Sequence, residues 1–257
     1  MRWRLALLAF FILAPARAGV PAAQLAGVVA SPAPGAAFPM STQFIDDTGH
    51  KRSLADIAGG SPAVVIFADY TCKNLCGPVL AFAAAALAKT GLAPGRDFHL
   101  AVIGLDPKDR PRDAIAMKEA QIGATALAKA SVFLIGDAET IAQTARAAGY
   151  HYVYDAGHDQ FAHPAAAYVI SKDGRIVRVL SGLGLSADNL RLALVDAGRG
   201  QVGTTLDQVR LHCFGFDPAR GIYTASVTAI LMLACGATVI VLAGGIALMA
   251  LMRRRAA

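Results

Sequence analysis

The run Ala63-Val-Val-Ile-Phe67 breaks off into Ala-Asp-Tyr-Thr-Cys72-Lys-Asn-Leu-Cys76-Gly-Pro and then into Val79 to Ala88. An apolar, β-branched run of that length fits a strand buried on both faces. The second run is rich in Ala and Leu, strong helix formers, and too long for a typical strand. A buried strand that feeds a helix through a short turn commits the chain to an α/β layout. It also sets both thiols on a strand-to-helix turn, where backbone N–H groups and the helix dipole favour thiolate over thiol. Thiolates exchange disulfides, and they hold soft metals such as Cu(I). The pair also meets the condition for a disulfide, Cα atoms within ~7 Å.

The alternation of strands and helices continues along the chain. Phe44 to Lys51 predicts a short hairpin with Gly49 at its turn. Phe98 to Leu105 predicts a second buried strand, Arg112 to about Gln121 a helix, Val132 to Ile135 a short strand and Glu139 to Ala148 a helix. Ala165 to Ser171 and Arg175 to Leu180 flank Lys172-Asp173-Gly174, a hairpin signal. Ser186 is placed to cap a last helix reaching Ala197. The predicted architecture is a thioredoxin-like α/β domain over residues 38–200, with an N-terminal hairpin and enough chain to bury its own core. Residues 19–37, rich in Ala, Pro, Gly and Val without a period, predict a flexible tether.

Both ends read as membrane signals. Met-Arg-Trp-Arg, an apolar stretch from Leu5 to Ala14 and the small-x-small triplet Ala16-Arg17-Ala18 predict a signal peptide over 1–18. From Ala225 to Met252 no residue is charged, and Arg253, Arg254 and Arg255 follow at once. At ~1.5 Å per residue such a helix crosses a ~30 Å hydrocarbon core. The expectation is a juxtamembrane segment over 201–223, a transmembrane helix over 224–252 and a cytoplasmic tail over 253–257, with Tyr223 at the interface. The positive-inside rule then makes this a single-pass protein of the inner (cytoplasmic) membrane, its bulk on the periplasmic side. Six of the 24 Lys and Arg lie in these two ends, so 18 remain against 18 Asp and Glu. A near-neutral exported domain gives nucleic-acid binding no electrostatic support. Cys235 falls mid-span as a small apolar filler, which leaves Cys72, Cys76 and Cys213, an odd number in an oxidising space.

Three motifs in order carry a family likeness: Cys72-Lys-Asn-Leu-Cys76 after the first core strand, Asp106-Pro107-Lys108-Asp109-Arg110-Pro111 after the second, and Phe161-Ala162-His163 ahead of the hairpin. Over roughly residues 40–200 the chain resembles the Sco/SenC family of copper-binding assembly factors for cytochrome c oxidase. The tail from Cys213 to Tyr223 is similar to that of a C-terminally anchored bacterial subgroup. The resemblance implies that Cys72, Cys76 and His163 bind one copper ion. It implies for Asp106 a place behind the ligands as a hydrogen-bond acceptor; a plain turn-forming role explains that residue equally well. Two thiolates and an imidazole suit copper as both Cu(I) and Cu(II). Asp69 and Tyr70 stand where they can shape the pocket, and Asp109 reads as a helix cap. Cys213 stays open between an accessory thiol (spare ligand, resolving thiol or intermolecular disulfide partner) and no role. The chain departs from the family pattern at Gly77-Pro78, where Pro commonly follows the second cysteine directly, and at Pro164 after the histidine.

Two functions follow from this reading. One is a metallochaperone that delivers copper to the copper-containing subunit of cytochrome c oxidase, or matures the copper site there, with other copper chaperones or thioredoxin-like reductants as further partners. The alternative is a thiol–disulfide oxidoreductase in which Cys72 and Cys76 are the redox pair. It would keep the oxidase's copper-site cysteines reduced and need no metal of its own.

Overall fold

The computed structural model describes residues 25–72, 76–199, 201–218 and 221–256. The signal peptide expected over 1–18 lies outside the described residues. In chain order the strands are β1 (Gln43–Asp46), β2 (Lys51–Ser53), β3 (Ala63–Ala68), β4 (His99–Gly104), β5 (Ser131–Ile135), β6 (Val153–Asp155), β7 (Gln160–Ala162), β8 (Ala166–Ile170), β9 (Ile176–Ser181), β10 (Phe214–Asp217) and β11 (Ile222–Ala225). The helices are α1 (Leu54–Ala58), α2 (Cys76–Ala88), α3 (Pro111–Gln121), α4 (Ala126–Lys129), α5 (Ala138–Ala147), α6 (Ala187–Ala197), α7 (Thr205–Cys213) and α8 (Val227–Ala256).

Seven strands form one sheet in the order β2-β1-β5-β4-β3-β8-β9. β3 runs parallel to β4 from Ala63↔His99 to Ala68↔Gly104, and antiparallel to β8, where Ile66 faces Ala167. Every residue of β3 is buried, as a central strand covered on both faces requires. Alternate side chains go to opposite layers: Val64 and Ile66 pack with Leu80, Leu87 and Leu190, whereas Val65 and Phe67 pack with Ile141, Tyr150 and Tyr168. The mixed α/β, thioredoxin-like architecture read from the sequence is thus the one observed. Its local devices are those expected. Gly49 takes a φ of 86° at the β1–β2 turn, and the Ser186 hydroxyl accepts the Asn189 N–H at 3.3 Å to cap α6.

Two segments differ from the reading. Part of 19–37, expected as a tether, is tied to the body: Ser31 N–H donates to Gly149 O at 2.8 Å, His151 N–H to Val29 O at 2.9 Å and Ile176 N–H to Ala36 O at 3.0 Å. These bonds use backbone groups only, which leave no mark on composition. The described part of 201–223, expected as a juxtamembrane segment, forms α7 and, with the next two residues, the β10–β11 strand pair, and docks on the domain. Arg191 grips Asp207 through two nitrogens, at 2.8 and 2.6 Å. Arg178 lies 4.9 Å from the Phe216 ring centre, donates to Tyr223 Oη at 3.2 Å and pairs with Asp196 at 2.7 Å.

Among the described residues no helix is long and apolar enough to cross a membrane. Within α8, a helix of 30 residues, the described side chains are interrupted at 227–230, 233, 247–248 and 250–251. They therefore do not carry the transmembrane assignment of 224–252, which rests on the sequence.

Candidate functional site

Parallel β3 and β4 end at the same edge of the sheet, and antiparallel β8 begins there. Three turns meet at that edge: the cysteine turn after β3, the Asp-Pro turn after β4, and the segment from β7 to β8 that bears His163. This edge lies at the C-terminal ends of the parallel strands, where α/β sheets open a crevice.

Asp69 builds the first turn. It is fully buried, and its Oδ1 accepts from the Thr71 N–H and hydroxyl, each at 3.1 Å. Its backbone carbonyl accepts the Cys72 N–H at 3.2 Å. Its Oδ2 reaches across the edge and accepts the Phe161 N–H at 3.0 Å. One carboxylate thus ties the cysteine turn to the strand that ends just before His163. Tyr70, the next residue, plunges inward: its Oη sits 2.8 Å from Val102 O and 2.9 Å from Leu134 O, and accepts the Leu134 N–H at 3.1 Å. Burial holds its phenol well above the usual range.

Cys72 is half-buried on the turn, and Cys76 is the first residue of α2, its side chain outside the described residues. A side chain at Gly77 would meet the amide of Gln121, whose Nε2 is 2.7 Å from a Cβ placed there. Gln121, at the end of α3, therefore fills the space beside the helix start.

His163 is positioned by Tyr150. The Tyr150 hydroxyl donates to Pro164 O at 3.0 Å and lies 2.8 Å from His163 Nδ1, which is itself 3.3 Å from Pro164 O. With the hydroxyl's proton on the carbonyl, its oxygen is left to accept from Nδ1–H, the tautomer that makes Nε2 the lone-pair nitrogen of the ring. Tyr150 in turn stacks on Phe67 of β3, centroids 4.3 Å apart. Burial pushes the His163 pKa down, opposed by the Pro164 carbonyl and the Asp69 charge, and so favours the neutral imidazole that ligation requires. Pro164, which departs from the family pattern, contributes its carbonyl to this arrangement.

Asp106 is buried after β4, and its Oδ1 accepts the Lys108 N–H at 2.8 Å, closing the Asp-Pro turn. Lys108 Nζ lies 2.5 Å from Asp159 Oδ1, which also accepts from the Tyr154 hydroxyl at 2.5 Å. This latch joins the Asp-Pro turn to the β6–β7 hairpin that carries the histidine segment. Asp109 does not cap α3; the Asp113 carboxylate takes the Arg110 N–H there, at 3.0 Å. Cys213 ends α7, and β10 begins at the next residue. The far end of that hairpin, at Gly221, is the end that meets Ser181. The Cys213 side chain lies outside the described residues.

Among the described residues no group of three or more His, Cys, Asp or Glu forms a metal-binding cluster; the side chain of Cys76 is not among them. The donor types at the edge, the Cys72 thiol and the His163 imidazole, suit a soft metal. Tyr150 escaped the sequence reading, because a tyrosine after a helix-ending glycine has no local signature of a partner thirteen residues on.

Fold and site together define a thioredoxin-like domain with a cysteine pair on the first strand–helix turn and a histidine segment fastened beside it. The sequence profile of the SCO1/SenC family matches residues 31–194, more than half of the chain, and the chain belongs to that family. Among solved structures, it is similar to ScoI of Arabidopsis thaliana with copper bound, at 21% identity and a TM-score of 0.53, covering 65% of this chain and 99% of that one. BsSco, a member of the Sco family of cytochrome c oxidase assembly proteins with a disulfide switch, matches at 19% identity and 0.54 over 66% and 98%. A SCO1/SenC family lipoprotein of Bacillus anthracis matches at 21% and 0.50 over 59% and 89%. At these identities the likeness establishes the fold. No curated protein matches the chain.

Proposed function

We propose that this chain is a membrane-anchored, extracytoplasmic copper-binding protein that delivers copper to cytochrome c oxidase or matures its copper site. Cys72, Cys76 and His163 hold the ion, with thiolates for Cu(I) and the imidazole to satisfy Cu(II) as well. The observation that carries this reading is the Asp69 bridge, which fastens the cysteine turn to Phe161, two residues from His163. The Tyr150 contact supports it, since Nδ1–H on that hydroxyl turns the Nε2 lone pair to the ion. Copper is cargo here, and it leaves by ligand exchange as acceptor thiolates and imidazoles replace these three in turn. The copper-bound state of ScoI and the oxidase-assembly role named for BsSco are properties of those family members, and membership extends them to this chain as the reading to test.

The anchor in this proposal is α8. It carries no charge from Val227 to Met252 and leaves Ile240 and Met232 some 70% exposed, at 73% and 69%. A helix apolar on all sides calls for an apolar surrounding. Anchoring confines donor and acceptor to one surface and raises their effective concentration.

A second reading is favoured by the position of Cys76 at the first residue of α2, where the helix dipole stabilises a thiolate without any metal. In it, the pair reduces the oxidase's copper-site cysteines and His163 is dispensable. Copper titration of the full chain in detergent, followed by absorption spectroscopy, separates the two. The wild type takes up stoichiometric copper with a sulfur-to-copper charge-transfer band, and Cys72→Ser, Cys76→Ser and His163→Ala each lose or shift it. Uptake and spectrum unchanged in His163→Ala contradict the copper-ligand role of that residue and leave the reductase.

A further inference from the structure

Helix α7 holds to the domain by a polar grip and shows an apolar side outward. Asp207, in its first turn, is buried and bound by Arg191. Leu206 and Val209, three residues apart and so on one face of the helix, are 67% and 54% exposed. Phe214, the residue after α7, is 37% exposed. Among the described residues of 201–225 these are the exposed large apolar side chains, whereas Phe216 and Tyr223 pack on the core. A surface helix ordinarily turns such residues to the core and its charges to water. Arg210 is exposed beside them, and from Gln208 to Phe216 the chain has no acidic residue.

The place of this face says what covers it. Phe214 of β10 pairs with Ala225 of β11, and α8 begins at Val227, two residues on. Partners across an antiparallel pair lie about 5 Å apart. The end of α7 is therefore beside the start of α8, and the two helices are in contact. The uncharged stretch of the chain begins at the same point, Ala225. The outward face of α7 is thus continuous with the apolar surface of α8.

We propose that α7 is an interfacial helix, which lies along the lipid surface that α8 enters. Leu206, Val209 and Phe214 sit in the boundary between headgroups and acyl chains, and Arg210 reaches the lipid phosphates. The inference rests on the reading of α8 as a membrane anchor. Helices that lie on a membrane bind by the apolar area they bury and by attraction of their basic residues to anionic lipid. An arginine among apolar side chains lays its stem along them and keeps its charge at the polar level. The same helix is fixed on its other side to the domain by the Arg191–Asp207 pair. The bilayer then has two contacts with the chain, the span and this face.

The test uses tryptophan fluorescence of the full chain carrying Trp3→Phe, which removes its one native tryptophan. Leu206→Trp, Val209→Trp and Phe214→Trp are made one at a time; the first two positions are more than half exposed, so the packed core stays intact. Each variant is reconstituted into vesicles of phosphatidylcholine and phosphatidylglycerol, with or without bromine on the acyl chains. Brominated chains are expected to quench all three about twofold or more, as burial at the headgroup–acyl boundary requires. Val29→Trp, beside Ala30 on the opposite layer of the sheet, should be quenched by aqueous iodide and not by bromine. Emission at α7 that iodide quenches and bromine does not overturns the proposal. Emission shielded from both overturns it as well, and marks a second copy or another protein as the cover. A chain that an alkaline carbonate wash strips from the vesicles overturns the anchor reading along with this inference. A retained chain with α7 in water overturns this inference alone.

Discussion

Asp69 and Tyr150, both distant in sequence, join Pro164 in fastening the segment that bears His163. Asp69 has both carboxylate oxygens engaged, one on Thr71 and one on Phe161. Asp69→Asn keeps the shape but turns an NH2 group toward one of these donors. We predict a loss of about 1–3 kcal/mol in stability, the cost of an unsatisfied buried donor. Copper affinity falls by about 10–100-fold, as when a group behind a ligand is lost. Tyr150→Phe frees the Nδ1 tautomer and lowers affinity by about tenfold, with about 1 kcal/mol off stability. Competition with a chromophoric Cu(I) chelator and denaturant melts measure both. Full affinity in both variants would mean that the histidine needs no such support. The cysteine pair was legible from its place between a buried strand and a helix, and His163 was singled out by the resemblance to the Sco/SenC family. Tyr150 was not, because its role comes from stacking on Phe67 of β3 and from a turn that brings Pro164 back to it.

At the level of elements, the hydrophobic pattern located the central strands and the main helices of the domain to within a few residues. Strands β3, β4 and β8 are buried at nearly every position, and a run of apolar residues is unambiguous there. The β6–β7 hairpin was missed because strands of three residues carry no period, and their partly exposed side chains alternate with nothing. The α7 and β10–β11 unit was missed for another reason: it is held by long-range polar contacts, chiefly Arg191 with Asp207. Those contacts set its acid sensitivity. The Arg191 guanidinium, followed by the Thr204 hydroxyl and N–H, holds the Asp207 carboxyl well below its ordinary value. A depressed carboxylate contributes stability above its unfolded pKa of about 4 and loses it as pH falls below that value. Asp207→Asn should therefore cost about 3 kcal/mol at pH 7, the lower end for breaking a buried pair. The gap to wild type should narrow in melts between about pH 4 and 2. A gap independent of pH would exclude the ion pair as its source.

The whole molecule is a docked assembly and not a domain on a loose string. Residues beyond the family match, from 195 onward, wrap α7 and the β10–β11 hairpin against α6 and β9, and α8 starts two residues after β11 ends. A Cβ on Gly184 would lie 2.0 Å from Gly221 O, so the 3₁₀ turn at Gly182–Gly184 and the hairpin tip are in direct backbone contact. Ser181, beside that contact, pairs with Ala166, three residues past His163. On the proposed topology, α8 lies in the bilayer and this docked unit stands between it and the segment that bears His163. Protease added to spheroplasts should digest the domain and spare an epitope placed after Arg255; digestion of the epitope would reverse the topology. The most direct test of the account is X-ray absorption at the copper edge of the loaded full chain. The account predicts a ligand shell of two sulfurs and one imidazole nitrogen, with the nitrogen lost in His163→Ala. A sulfur-only shell, or one identical in wild type and His163→Ala, would contradict it.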